Sequence, residues 1–226
     1  ISGNTYTPAN VSSNTTVTIR YSVAANGSCG ATTADKSFTV NSNPGAASNT
    51  TSTAAICEGS TKPVIGSPSG GSWSENGSGS ISGTTYSTGN ITSNQNVTVT
   101  YTISANGACG STSSGKTFTV NSDPGAATNG TSTSAICETS TKTISGNGSP
   151  SIVTGGGGIS GSTYTPANIT SNTTVTIRYT VAANGSCGAT TADKSFTVYY
   201  TPSAASNSTS TAAICETSTK TISGNG

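Results

Sequence analysis

Ile1-Ser2-Gly3 returns at Ile81-Ser82-Gly83 and again at Ile159-Ser160-Gly161, and Ala-Ile-Cys-Glu occurs at 55–58, 135–138 and 213–216. In both series the first offset is 80 and the second 78, so self-comparison gives the chain a period of about 79 residues. Residues 1–40 match 159–198 at 36 of 40 positions. A long period of this kind marks one structural unit used several times, and whatever one copy folds into, the others must also fold into. The seams are proline-led: Asn43-Pro44-Gly45-Ala46-Ala47, Asp123-Pro124-Gly125-Ala126-Ala127 and Thr201-Pro202-Ser203-Ala204-Ala205. They predict complete modules at 44–123 and 124–201, the back part of a module at 1–43 and the front part of another at 202–226. The two partial modules are nearly complementary, which leaves two readings: a fragment of a longer array, or one period of a polymer whose chain continues.

Each period carries short alternating runs rather than helical ones. In Asn96–Ile103, Val97, Val99, Tyr101 and Ile103 alternate with Thr98, Thr100 and Thr102. Val175, Ile177, Tyr179 and Val181 do the same one period later. Period two with β-branched and aromatic residues is the pattern of a half-buried strand. After Asn106-Gly107, a turn dipeptide, Lys116–Val120 alternates again with Phe118 and Val120 inward. Cys57–Ile65, interrupted by Pro63, a short run at Trp73, and Ile81–Tyr86 complete five or six strands per period. The fold class is therefore expected to be all-β: tandem small immunoglobulin-like β-sandwich modules of about 79 residues. Trp73, with Ile152 or Val153 in its place one period on, is expected in the core, and Gly155–Gly158 in a turn.

Only 30% of the residues are hydrophobic and 5% aromatic, a thin supply for a core. Six cysteines, two per period, read as staples: Cys29, Cys57, Cys109, Cys137, Cys187 and Cys215. Two pairings are open. Within modules, Cys57 joins Cys109 and Cys137 joins Cys187, leaving Cys29 and Cys215 to partners outside the chain. Across seams, the pairs are 29–57, 109–137 and 187–215. We expect the first, because it closes a loop around each module's own strands. Regular cystines also imply an oxidising compartment outside the cell.

Several chemistries lack their residues. With no His, imidazole-based acid–base or nucleophilic catalysis is excluded, and Cys-x-x-Cys metal spacing does not occur. No catalytic, cofactor-binding or metal site is expected, and the chain is read as not an enzyme. A formal net charge of +1 with no Lys/Arg cluster offers nothing to nucleic acid. No apolar run approaches the length that a helix needs to cross a bilayer, so no membrane-spanning segment is expected. Glu58, Glu138 and Glu216 each follow a cysteine and are expected to be solvated near Lys62, Lys142 and Lys220. The sharper alternative for these residues is a Glu-assisted Lys–Asn isopeptide. Asp35-Lys36 and Asp193-Lys194 are expected in turns.

The order Pro-Gly-Ala-Ala, Ala-Ile-Cys-Glu, Gly-Gly-Ser-Trp-Ser, Asn-Val-Thr-Val-Thr-Tyr-Thr, Asn-Gly-Ala-Cys-Gly and Lys-Thr-Phe-Thr-Val resembles the immunoglobulin-like or PKD-like tandem repeats of giant Bacteroidota cell-surface adhesins, such as gliding-motility adhesins of the SprB type, or of a related extracellular filament protein. The resemblance implies export, by the type IX route, and display as a long fibre at the cell surface or in a secreted filament. It leads us to expect the structural repeat region of an extracellular fibre or adhesin stalk whose partners are neighbouring modules or copies of itself. The alternative is an adhesive module that takes glycans or surfaces on its exposed Thr and Asn faces.

Overall fold

The computed structural model describes residues 1–225. Its described residues divide into two compact units, one of residues 1–123 with 183–188, the other of 124–182 with 189–225.

In the first unit, β1 (Thr15–Val23) and β2 (Thr32–Val40) form a two-stranded antiparallel ribbon. The strands that follow are β3 (Ser48–Asn49), β4 (Ile56–Cys57), β5 (Thr61–Pro63), β6 (Gly66–Ser67), β7 (Ser72–Glu75), β8 (Gly79–Ser82), β9 (Thr85–Thr88), β10 (Gln95–Ile103) and β11 (Thr112–Asn121). They make a sheet of order β4-β11-β10-β7 and another of order β5-β9-β8, with β3 paired to β6. The first strand lies parallel to the last, Ile56 opposite Val120 and Cys57 opposite Asn121, and the remaining pairs of both sheets are antiparallel. Taking β4, β5, β7, β8, β9, β10 and β11 as A to G gives one sheet holding C, F and G and the other holding B, E and D, with the short strand A added beside G rather than beside B. That is the division of the immunoglobulin fold.

Alternation decides which side chains meet between the sheets. Val97, Val99, Phe118 and Val120 are buried against Val64, Tyr86 and Ile91, with Ile56, Trp73 and Ile81 at the margin. The Tyr86 and Phe118 rings meet edge to face at 5.4 Å. Trp73 belongs to the core as expected, its ring 4.8 Å from that of Tyr101. The run Ile81–Tyr86, expected as one strand, is instead a tight hairpin: Gly83 takes φ +57° and turns the chain between β8 and β9. Pro63 closes β5 on a sheet edge, where its missing N–H costs nothing.

The second unit repeats this plan with β12 (Ile136–Cys137), β13 (Lys142–Thr143), β14 (Ser149–Thr154), β15 (Gly158–Ser160), β16 (Thr163–Thr165), β17 (Thr173–Val181) and β18 (Thr190–Tyr199), plus a small pair, β19 (Ser206–Asn207) and β20 (Gly224–Asn225). The sheets are β12-β18-β17-β14 and β13-β16-β15 around Ile144, Tyr164, Val175, Ile177, Tyr179, Phe196 and Val198. Ile152 packs on this core, but in the ladder it stands opposite Ile177, where the first unit has Glu75 opposite Val99, and Pro150 takes the register position of Trp73; Val153 is exposed. Gly155, Gly156 and Gly157 all have positive φ and make the expected turn between β14 and β15.

Two expectations about charged residues are corrected. Asp35 and Asp193 are strand residues, not turn residues, each opposite an arginine: Arg20 donates Nε–H to Asp35 Oδ1 at 2.7 Å, and Arg178 does the same to Asp193 at 2.8 Å. The guanidinium groups hold both carboxyls below their usual range. Glu58 and Glu138, expected to be solvated near Lys62 and Lys142, are half-buried, and the two lysines are buried; only Glu216 is exposed as expected. Lys62 Nζ donates to Ala54 O at 2.6 Å and lies 4.8 Å from the centre of the Phe118 ring. Lys142 Nζ donates to Ser134 O at 2.5 Å and lies 4.6 Å from the Phe196 ring.

Burial also sets a pH dependence. It raises the phenolic pKa of Tyr86, where the Glu75 charge adds to it, and those of Tyr164 and Tyr179. Their stabilising contribution is complete below the unfolded value of about 10 and is lost as pH rises through the raised folded values. Burial lowers Lys62 and Lys142, so their contribution has the opposite sign and is recovered as pH rises toward about 10.5. A Tyr86→Phe, Tyr164→Phe variant removes two of the tyrosine contributions, and thermal melts between pH 9 and 11.5 should show it losing less Tm than the parent.

Candidate functional site

The Asn-Gly-x-Cys sequence folds as a two-residue turn closed by paired backbone bonds, Asn106 with Cys109 and Asn184 with Cys187. Glycine is required at its second position: Gly107 and Gly185 have φ +57° and +56°, and a Cβ there would collide with the side chains of Asn41 and Asn121. Within the first unit both turns dock on the end of a strand from the preceding period.

The two docks use the same partners. Asn184 and Asn94 exchange amide hydrogen bonds of 2.8 and 3.1 Å, and Asn184 Nδ2 also donates to Ser122 O at 2.8 Å. Ser186 N–H donates to Asn121 Oδ1 at 3.0 Å, and Cys187 Sγ lies 3.2 Å from Asn121 O. One period earlier, Asn106 and Asn14 exchange bonds of 2.8 and 3.1 Å, Ala108 N–H donates to Asn41 Oδ1 at 3.1 Å, and Cys109 Sγ is 3.5 Å from Asn41 O.

At the later dock the cysteine is bonded. Because Cys57 stands opposite Asn121 in the β4/β11 ladder, it meets Cys187 over that residue, and the two form a disulfide with Cα atoms 4.8 Å apart. This replaces both pairings expected from the sequence: Cys57 does not join Cys109, and Cys187 joins neither Cys137 nor Cys215. The bond links the front cysteine of one period to the back cysteine of the next, 130 residues away. Cys29, Cys137 and Cys215 are exposed thiols and Cys109 is a half-buried one.

The glutamate after the front cysteine clasps the strand. Glu58 accepts Ile91 N–H at 2.9 Å through Oε1 and Asp123 N–H at 3.0 Å through Oε2, and Glu138 holds Ile169 and Thr201 in the same way. Glu58 therefore fixes the loop before β10 and the chain after β11 to β4. The buried amide of Asn49 is spent on Val99 O and Ser114 O, and Lys62 on Ala54 O, so neither supplies the pair that an isopeptide needs. Removing the clasp with Glu58→Ala strands two backbone donors and should cost about 2 kcal/mol, read in urea as a lower midpoint at unchanged slope.

The outward threonines are engaged across strands: Thr98 with Thr117 at 2.7 Å, Thr18 with Ser37 at 2.7 Å and Thr176 with Ser195 at 2.9 Å. Among the described residues no group of three or more His, Cys, Asp or Glu could hold a metal ion, and no helix is long and apolar enough to cross a membrane.

No protein-family model matches the chain, and no curated protein matches it. Among solved structures it is similar to the crystal structure of the titin domains z1z2 in complex with telethonin, at 14% identity and a TM-score of 0.27, over 71% of this chain and all of that one. The strand order and core define an all-β protein of the immunoglobulin-like sandwich class.

Proposed function

We propose that the chain is a repeat region of a long bacterial extracellular fibre or surface-adhesin stalk, non-enzymatic, with modules at 44–123 and 124–201 flanked by parts of modules at 1–43 and 202–226. The observation that carries this reading is the position of the cystine. A staple that served one small sandwich would close within a single period. Cys57–Cys187 instead runs from one period to the turn of the next, where it resists pulling consecutive periods apart. The near-verbatim repeat of cores, docks and clasps serves the same end, since a filament needs identical joints and not variable binding loops. Cystines at this spacing suit the oxidising space outside the cell. Electron microscopy of the native material tests the reading: it should show a thin unbranched fibre or beaded strand with one bead per period. Compact particles lacking that repeat would overturn it.

A further inference from the structure

A groove of about 500 Å³ opens beside the dock at Asn41, lined among others by Val11, Val40, Asn41 and Cys109. One period on, the corresponding residues are Ile91, Val120, Asn121 and Cys187, and these surround an occupant: Ile56 lies parallel to Val120, Cys57 is opposite Asn121 and bonded to Cys187, and Glu58 takes Ile91 N–H. The groove is thus the seat of an Ile-Cys-Glu strand, with a thiol at the point where the disulfide would form.

The chain carries the same sequence a third time, outside any strand. Ile214-Cys215-Glu216 is exposed, Ile214 at 53%, and residues 214–225 repeat 136–147 without a difference. In the second unit, the counterpart segment supplies Ile136 and buried Ile144 to a core shared with Tyr179 and Phe196. The counterparts of those two aromatics on the β1–β2 ribbon, Tyr21 and Phe38, are 71% and 43% exposed, where Tyr179 and Phe196 are 5% and 3% exposed. The ribbon and the segment each display the apolar surface that the other's equivalent covers.

We propose that Ile214–Glu216 of a second copy of this chain fills the groove beside β2, Ile214 against Val40 and Glu216 on the N–H groups of Val11 and Asn43, and that Cys215 of that copy forms a disulfide with Cys109. The same translation brings Cys137 of that copy to Cys29 of this one, so all six cysteines of a repeating assembly are paired. Bond formation converts two thiols to one disulfide. With a low-molecular-weight disulfide as oxidant, its sulfur–sulfur bond is exchanged for the protein's, and two small thiols leave with the protons.

This deepens the fibre reading and rests on it only for the oxidising surroundings. The test is oxidation of the full chain by oxidised glutathione, with an equal mixture of ¹⁵N-labelled and unlabelled protein, followed by non-reducing electrophoresis and peptide mapping. The expected product is a ladder of covalent oligomers in which Cys109–Cys215 and Cys29–Cys137 peptides carry mixed labels. Cys215→Ser should abolish the first peptide and keep the second. Ile214→Asp, which keeps the thiol but not its seat, should lower the yield of the first at least tenfold while Cys57–Cys187 still forms. Oxidised monomers with glutathione caps on Cys109 and Cys215, a Cys109–Cys215 bond within one chain, or Cys215–Cys215 as the main cross-link would each overturn the joint while leaving the reading of a fibre built from one continuous chain. Absence of Cys57–Cys187 from the map would overturn both.

Discussion

Pulled from its two ends in a single-molecule force experiment, the oxidised chain should stop roughly 430–470 Å short of the contour length of the reduced chain. The reason is topological. Cys57 and Cys187 bracket 130 residues of sequence, each able to span at most about 3.3–3.6 Å when extended, and while the bond holds that length is withheld from the load. Apart from Ile56, both sheets of the stretch 44–123 lie inside the bracket, and so does all of β12–β17. Force then passes through the cystine and leaves the ladders between those residues unloaded. Reduction, or Cys57→Ser, should restore the missing length in full. The within-period pairing would give a different signature, two separate and shorter lockings, one in each complete module, so the measurement separates the two connectivities as well as testing the mechanical role. The equilibrium effect is also large. Closing a loop of this size is worth about 5 kcal/mol on the chain-entropy model, comparable with the whole stability of a small domain, and Cys57→Ser should lower the denaturation midpoint accordingly.

The strands that build the core are legible because burial on one face and water on the other leaves a period of two in the residue types. Val97, Val99, Phe118 and Val120 can be assigned inward from their neighbours alone. The cystine is not legible, for it depends on which strand lies beside the last one. Nothing in the spacing of 29, 57, 109, 137, 187 and 215 says that β4 runs parallel to β11 and carries Cys57 to Asn121. Glu58 is hidden for a related reason: its partners are backbone N–H groups of Ile91 and Asp123, which have no signature in sequence. Lys62 misleads differently. A lysine between threonine and proline reads as solvated, yet its stem lies along the core and its ammonium reaches a carbonyl and a ring face. The hairpin at Gly83 has a visible signal, a glycine inside an apparent strand, that an alternating pattern on both sides conceals.

Phe118→Ala should be the most damaging single core substitution in the first unit, costing about 3–5 kcal/mol. The ring is buried at 2% exposure between Tyr86, which it meets edge to face at 5.4 Å, and Lys62, whose ammonium it receives at 4.8 Å. Truncation therefore empties a ring-sized volume and also removes the aromatic and cationic contacts that orient both neighbours. Lys62 makes the loss worse than the volume alone, since its buried charge keeps only the Ala54 carbonyl. The comparison that isolates this contribution is Lys62→Met in both backgrounds. In the parent it should cost about 1 kcal/mol, because Ala54 O loses its donor. In Phe118→Ala it should cost less or become stabilising, because an ammonium without its ring is held at a desolvation penalty that a thioether does not carry. The corresponding set in the second core is Lys142, Phe196 and Tyr164, with rings at 5.4 Å and the ammonium at 4.6 Å. The two cores share no residue, so Phe118→Ala and Phe196→Ala should add in urea denaturation to within about 0.5 kcal/mol. Equal costs at the two sites would mean that this Lys–Phe–Tyr cluster, repeated with the period, is what lets so thin a supply of apolar residues hold each sandwich together.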